Sequence, residues 1–255
     1  MNVVIIGTGN VGTVLSRLIR RSGHTILQIY GRNFEMASSL ANESGAVPVT
    51  DLKLIDTDAD IYIIAVADQA VASVSGSLKP INGLLVHTAG AVSMDILKDR
   101  SENYGILYPL QSLRKEIDRI PAIPFLVEAN SEKNIELLQA FANTLSDRVS
   151  IVNEKERAQL HLGAVLINNF VNHLYTIARS YCEKVGVSFE LLLPLISETA
   201  QRVEQFSPDQ LQTGPAIRND KSTIEKHLSL LEGDPQLRDM YNFFTDSIFR
   251  YYAKG

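Results

Sequence analysis

The 255-residue chain has almost no cysteine, Cys182 being its only one. A single thiol closes no intrachain disulfide. It also stands in a helical pattern with no partner at metal-ligand spacing, which excludes a disulfide scaffold and leaves a reducing cytoplasm as the expected compartment. No apolar run approaches the roughly 18 residues of a membrane span. Met1-Asn2 leads straight into Val3-Val4-Ile5-Ile6 without a basic leader, so a protein that is soluble, not exported and without a membrane partner is expected. Positive charge is short as well. Lys and Arg number 24 against 29 Asp and Glu, a net charge of −5 shared by two mildly acidic halves, and nucleic acid is not an expected partner. No grouping of His, Asp, Glu and Cys has metal-ligand spacing, and no metal is expected.

Apolar side chains are not in short supply: at 45% hydrophobic and 21% charged residues the chain can build a core, which excludes global disorder. Short β-branched runs at 3–6, 25–30, 61–66, 84–87, 104–107, 125–128 and 149–152 alternate with helical patterns, the mark of βαβ units and a mainly parallel sheet. Asn10, Asp68 and Ser131 stand where N-caps belong, and Gly23, Gly45 and Gly83 mark helix exits or the loops beyond. After about residue 153 no strand-like run remains. Residues 154–184 read as one long helix ending at Gly186, Ser188 caps a second that Pro194 bends, and a third segment opens at Ser207-Pro208-Asp209. Beyond the break at Thr213-Gly214-Pro215, helices follow at about 221–231 and 235–252. The expected fold is α/β plus all-α: a doubly wound Rossmann domain over residues 1–150 and a helical substrate or dimerisation domain over 151–255.

Gly7-Thr8-Gly9-Asn10-Val11-Gly12 follows the first strand and opens the first helix. In that context Gly7 permits the tight turn, Gly9 removes a side chain that would block a pyrophosphate, and Gly12 lets helix and strand pack closely. The helix N-terminus then faces the phosphates. Where an NAD enzyme ends its second strand with a carboxylate, this chain has Tyr30-Gly31-Arg32-Asn33. Arg32, with Asn33 beside it, suits a 2′-phosphate, so NADP is the expected cofactor; the alternative is a solvated turn arginine. Val66 and Ala67 are small residues at the end of the fourth strand, with room for ribose or nicotinamide. Asp68 reads as a cap rather than a catalyst. His87-Thr88-Ala89-Gly90 closes the next strand, with Thr88 and Gly90 expected to form a substrate anion cup and His87 a hydrogen-bonded core residue. Gln111, in Tyr108-Pro109-Leu110-Gln111-Ser112, is expected to line the same cleft.

In the long helix, His161, Asn168, Asn172, Tyr175 and Arg179 fall near one line at about 100° per residue, while apolar residues fill the remaining directions. A buried helix with a polar stripe is therefore expected. His161 is the candidate proton donor and Asn168 the group that orients the substrate; the alternative is a hydrogen-bonded histidine at a dimer seam. Arg218 lies in Gly214-Pro215-Ala216-Ile217-Arg218-Asn219-Asp220, where Asp220 caps the next helix, and is a candidate clamp for a substrate carboxylate or half of an ordinary salt bridge. The C-terminal aromatics Tyr241, Phe243, Phe244, Phe249, Tyr251 and Tyr252 are expected to pack a core or a homodimer seam.

The glycine loop, Tyr30-Gly31-Arg32, His87-Thr88-Ala89-Gly90, Tyr108-Pro109-Leu110-Gln111, His161 with Asn168, and the segment from Thr213 to Asp220 together resemble the NADP oxidoreductases whose C-terminal helical domain has no assigned function. That family is similar to 6-phosphogluconate dehydrogenase, 3-hydroxyisobutyrate dehydrogenase, ketopantoate reductase, F420-dependent NADP reductase and pyrroline-5-carboxylate reductase. In the dehydrogenase branch a lysine precedes the helical-domain asparagine by four residues; here that position is Ala164. The closer family has His-Pro where this chain has Tyr108-Pro109. The resemblance implies an NADP-dependent enzyme, a homodimer through its helical domain, that reduces a small carbonyl or imine substrate with an acidic group in the cleft between the domains. The competing expectation is a non-catalytic NADP-responsive module that binds a partner.

Overall fold

The computed structural model describes residues 1–253. Eight strands form one sheet in the order β3-β2-β1-β4-β5-β6-β7-β8. They are β1 (Asn2–Ile6), β2 (Thr25–Tyr30), β3 (Val47–Val49), β4 (Ile61–Ile64), β5 (Leu84–His87), β6 (Tyr104–Pro109), β7 (Phe125–Ala129) and β8 (Val149–Ile151). All neighbouring pairs are parallel except β6 with β7. Side chains alternate across a strand, and in the central strands β1, β4 and β5 both faces are buried. Val3, Ile5, Ile61, Ile63, Leu84 and Val86 join one apolar layer, while Val4, Ile6, Tyr62, Ile64 and Leu85 join the other. That is why these strands read as unbroken apolar runs.

Helix α1 (Asn10–Arg21) buries Val14, Leu15 and Ile19 in the first layer, as α2 (Phe34–Ser44) does with Leu40 and Ala41 and α4 (Glu132–Leu145) with Leu138 and Phe141. The opposite face packs Leu78, which ends α3 (Asp68–Ser77), and Leu97 of a short 3₁₀ turn. Strand order reverses between β1 and β4, so the loop after β1 opens on the crevice where doubly wound sheets bind ligands.

Local expectations fare unevenly. Ser131 caps α4 by accepting from Asn134 N–H, and Gly45 ends α2 in the left-handed conformation. Asn10 and Asp68 do not cap: each lies inside its helix, with Gly9 and Ala67 at the cap positions and no side-chain bond there. Strand β3 comes in addition to the seven expected, and Pro194 stands in the first turn of α7 (Leu193–Arg202), where its missing N–H disrupts nothing.

By compactness the chain divides into two units that meet between Tyr175 and Thr176. The first holds the sheet, α5 (Glu154–Ala164) and a π-helical stretch, Val165–Phe170, that runs into α6 (Val171–Val185). The division falls inside α6, 25 residues beyond the boundary expected near Ser150, and leaves α5 and the π-helical stretch in the first unit. The second unit contains α7, α8 (Lys221–Leu230) and α9 (Pro235–Tyr252).

The long helix is not buried as its apolar circumference suggests. Leu162, Leu166, Ile167 and Phe170 are more than half exposed. Within the second unit Leu191, Leu195, Leu230, Phe243 and Tyr251 are exposed as well, so the C-terminal aromatics do not form a core within the single chain. Among the described residues no helix is long and apolar enough to cross a membrane, and no group of His, Cys, Asp and Glu is placed to hold a metal.

Candidate active site

The loop after β1 is shaped by what its glycines lack. Gly7 has φ +129°, and a Cβ there would lie 2.2 Å from the Ala65 carbonyl oxygen at the end of β4. A Cβ on Gly12 would meet the Gly7 carbonyl oxygen at 2.1 Å, so α1 starts in direct contact with the loop. Gly9 differs: a Cβ there would meet nothing within 4 Å. Its bare backbone faces open space, and no side chain caps the first turn of α1. The unclaimed positive end of this helix suits a diphosphate. Asn10 accepts from Lys115 N–H through Oδ1 at 3.3 Å, and Thr8 packs its methyl group against Gly31. Val11 is partly buried against the first core layer, and Val66 Cγ1 lies beside Gly7.

Arg32 is exposed in the turn after β2. Asn33, expected to serve the cofactor, caps α2 instead, its side chain accepting from Met36 N–H at 3.0 Å. Val66 is partly buried and Ala67 exposed at the end of β4.

The turn after β5 offers fewer donors than its sequence suggests. Thr88 gives both its N–H and its hydroxyl to the Ile64 carbonyl, at 3.1 and 3.4 Å, and Ala89 N–H binds His87 Nδ1 at 3.2 Å. The cup expected there is therefore largely filled by the protein itself. His87 is fully buried, with Nε2 3.4 Å from the Ser93 carbonyl. Burial, reinforced by the nearby Arg157 charge, pushes its pKa down to about 4, against the pull of the Ser93 carbonyl.

His161 of α5 lies against this same turn. A Cβ on Gly90 would come within 2.6 Å of His161 Nδ1, so glycine at position 90 is what admits the ring. Nδ1 is 2.8 Å from Tyr108 Oη at the end of β6, and the two rings meet edge to face with centroids 5.8 Å apart. Burial raises the Tyr108 pKa, with Asp68 adding to it and Arg157 opposing, so the phenol stays protonated at neutral pH. Arg157, one turn before His161, donates through Nη1 to the carbonyls of Gly90 at 2.6 Å and Ala89 at 3.3 Å, and through Nε to Glu128 of β7 at 3.3 Å.

Two models of known domains match the chain: the NADP oxidoreductase, coenzyme F420-dependent, over residues 2–88, and the domain of unknown function DUF2520 over residues 123–248. The crystal structure of BF3122 from Bacteroides fragilis, assigned as an NADP oxidoreductase, is 38% identical, with 98% of each chain covered and a TM-score of 0.90. The chain belongs to this NADP oxidoreductase family. Two more distant likenesses concern the fold. One is 1-pyrroline-5-carboxylate reductase from Streptococcus pyogenes (13% identity, 98% of each chain, TM-score 0.65), and the other an imine reductase from Myxococcus stipitatus in complex with NADP+ (17% identity, 100% of this chain and 93% of that one, TM-score 0.62). A search of curated proteins finds no match.

Within this NADP oxidoreductase fold the remaining expected site residues are dispersed. Gln111 spends its side-chain amide on its own loop, donating to the Ala122 carbonyl and accepting from Ser112 N–H. Asn168 is exposed in the π-helical stretch, where the 100° spacing of a regular α-helix does not apply. Arg218, in the second unit, is exposed beside the Asp220 cap, whose pKa its charge helps to lower after the bonds from Thr223. Tyr108, expected only as part of the polar segment lining the cleft, bonds His161 itself, and Arg157, which holds the turn beneath it, was not among the expected site residues.

Proposed function

We propose that the protein uses NADPH to reduce a small carbonyl or imine compound, with His161 as proton donor. The observation that carries this reading is the His161–Tyr108 hydrogen bond at 2.8 Å, beside a turn on the crevice side of the sheet. Reduction of a C=O or C=N bond places a hydride on carbon and a proton on the heteroatom, and the nicotinamide, when bound, supplies the hydride. The protein's share is the proton. Tyr108 engages Nδ1 and leaves Nε2 to face the substrate. Because a phenol both donates and accepts, the bond survives either charge state of the ring. Gly7, Gly9 and Gly12 would hold the diphosphate at the start of α1, with Arg32 at the 2′-phosphate. The substrate would carry an acidic group, as the family resemblance implies. The exposed apolar residues of the long helix and of the second unit support a homodimer in which a second copy covers them.

The test follows NADPH absorbance over a panel of cyclic imines, 2-oxoacids and their amides, with oxidised F420 as an alternative acceptor. His161→Ala is expected to lower kcat/KM by about a hundredfold or more while NADPH affinity holds. Turnover that survives the substitution removes His161 from the chemistry, and saturable NADPH binding with no turnover of any compound favours the non-catalytic reading. Arg32→Ala is expected to weaken NADPH about tenfold or more and NADH hardly at all, read by fluorescence titration; equal losses would remove the 2′-phosphate role.

A further inference from the structure

The helix face that presents His161 also presents Arg157, one turn earlier. Arg157 is fully buried, and a guanidinium does not shed its charge. Its partners come from two other elements: the Ala89 and Gly90 carbonyls of the turn after β5, and Glu128 of β7. Nη2 is buried and has no hydrogen-bond partner among the described residues. As a source of stability this is a poor arrangement, because a buried ion pair barely offsets its desolvation and an unsatisfied buried N–H adds a further cost. As a source of position it is effective. The planar fork has fixed directions, and here it joins α5, the turn and β7 at one point.

The same turn bears on His161. Arg157 holds its carbonyl oxygens, and the imidazole rests on the side of Gly90 where a Cβ would sit, 2.6 Å from Nδ1. Displacing the turn by a few tenths of an ångström moves the surface under the ring and misaligns Nδ1 with Tyr108.

We propose that Arg157 is a positioning residue for the His161–Tyr108 pair: by clamping the Ala89 and Gly90 carbonyls to α5, it fixes the surface on which the imidazole rests and so the hydrogen bond that aims Nε2. Its catalytic consequence rests on the reading of His161 above; the positional claim concerns a bond within the protein itself.

The fork, and not the charge, is the working element, so lysine is the discriminating substitution. Full-length protein labelled with ¹⁵N in its histidine rings is recorded by long-range ¹H–¹⁵N correlation across pH 5–9, with His161 assigned by its loss in His161→Asn and unfolding followed by circular dichroism. The wild type is expected to show a hydrogen-bonded Nδ1 at His161 that Tyr108→Phe abolishes. Arg157→Lys, unfolding cooperatively, is expected to show the Tyr108→Phe pattern. A lysine variant with the wild-type Nδ1 signal overturns the proposal. Should that variant fail to fold, Arg157→Met fills the buried site without a charge and is read the same way: loss of the Nδ1 signal supports the clamp, retention overturns it. Once a substrate is in hand, Arg157→Lys should lower kcat about tenfold with NADPH affinity unchanged. If His161→Ala leaves turnover intact, the catalytic reading falls, while the ring spectra still decide the role of Arg157.

Discussion

His87 shows how the surroundings of a single residue set a property of the whole protein. It is fully buried at the end of β5 with a pKa held near 4, against an ordinary value of 6.5. Between those values the unfolded chain takes up a proton that the folded chain refuses. The stabilisation is therefore complete above pH 6.5 and is lost as pH falls towards 4, by about 3 kcal/mol in all. Urea unfolding at pH 7 and pH 4.5 should show most of this loss in the wild type and a smaller one in His87→Gln; equal losses in the two proteins would remove the assignment. At this scale the sequence is legible where a role is local. The glycine spacing of the first loop is visible within six residues, and the contact that Gly12 makes with the Gly7 carbonyl is as local, although the Ala65 carbonyl that excludes a Cβ at Gly7 lies far along the chain. Arg157 escapes because its role depends on a contact across 67 residues, and the bond from Tyr108 to His161, across 53, is hidden although Tyr108 stands in the segment expected to line the cleft. An arginine in a helix reads as solvated; the one hint was Glu128, a carboxylate ending the apolar run Phe125-Leu126-Val127.

Among the elements, the central strands with both faces buried announce themselves as continuous apolar runs, and seven of the eight strands found among the described residues are expected from the sequence. β3 is missed because Val-Pro-Val is three residues long and pairs only with β2, an edge position where proline is tolerated. The π-helical stretch leaves no mark in the sequence, so the 100° projection that set Asn168 near the line of His161 assumes a regular helix that is not there. Helix α5 has the strongest start in the chain, a reciprocal capping box between Asn153 and Glu156, just before Arg157 and His161. Asn153→Ala is expected to cost about 1 kcal/mol, visible as a lower Tm by calorimetry. An unchanged Tm would mean that packing alone holds the helix start.

For the whole molecule, alternation of strand and helix followed by helix alone was enough to expect an α/β part and a helical part. What composition hides is whether an apolar surface is covered by its own chain. Ile167 is 76% and Leu166 51% exposed, more than a soluble monomer ordinarily leaves in one place. Sedimentation velocity is expected to show a dimer at micromolar concentration, and Ile167→Glu together with Leu166→Glu to yield monomer. A wild type that sediments as a monomer would contradict the proposed assembly. Gly9 also bears on experiments at this scale, since its φ of −78° is open to any residue and a methyl group there touches nothing. If the diphosphate lies there as proposed, alanine or valine at that position would leave a sound protein that no longer admits it, a ready-made blank for separating, inside a cell, what the molecule does by chemistry from what it does by being present.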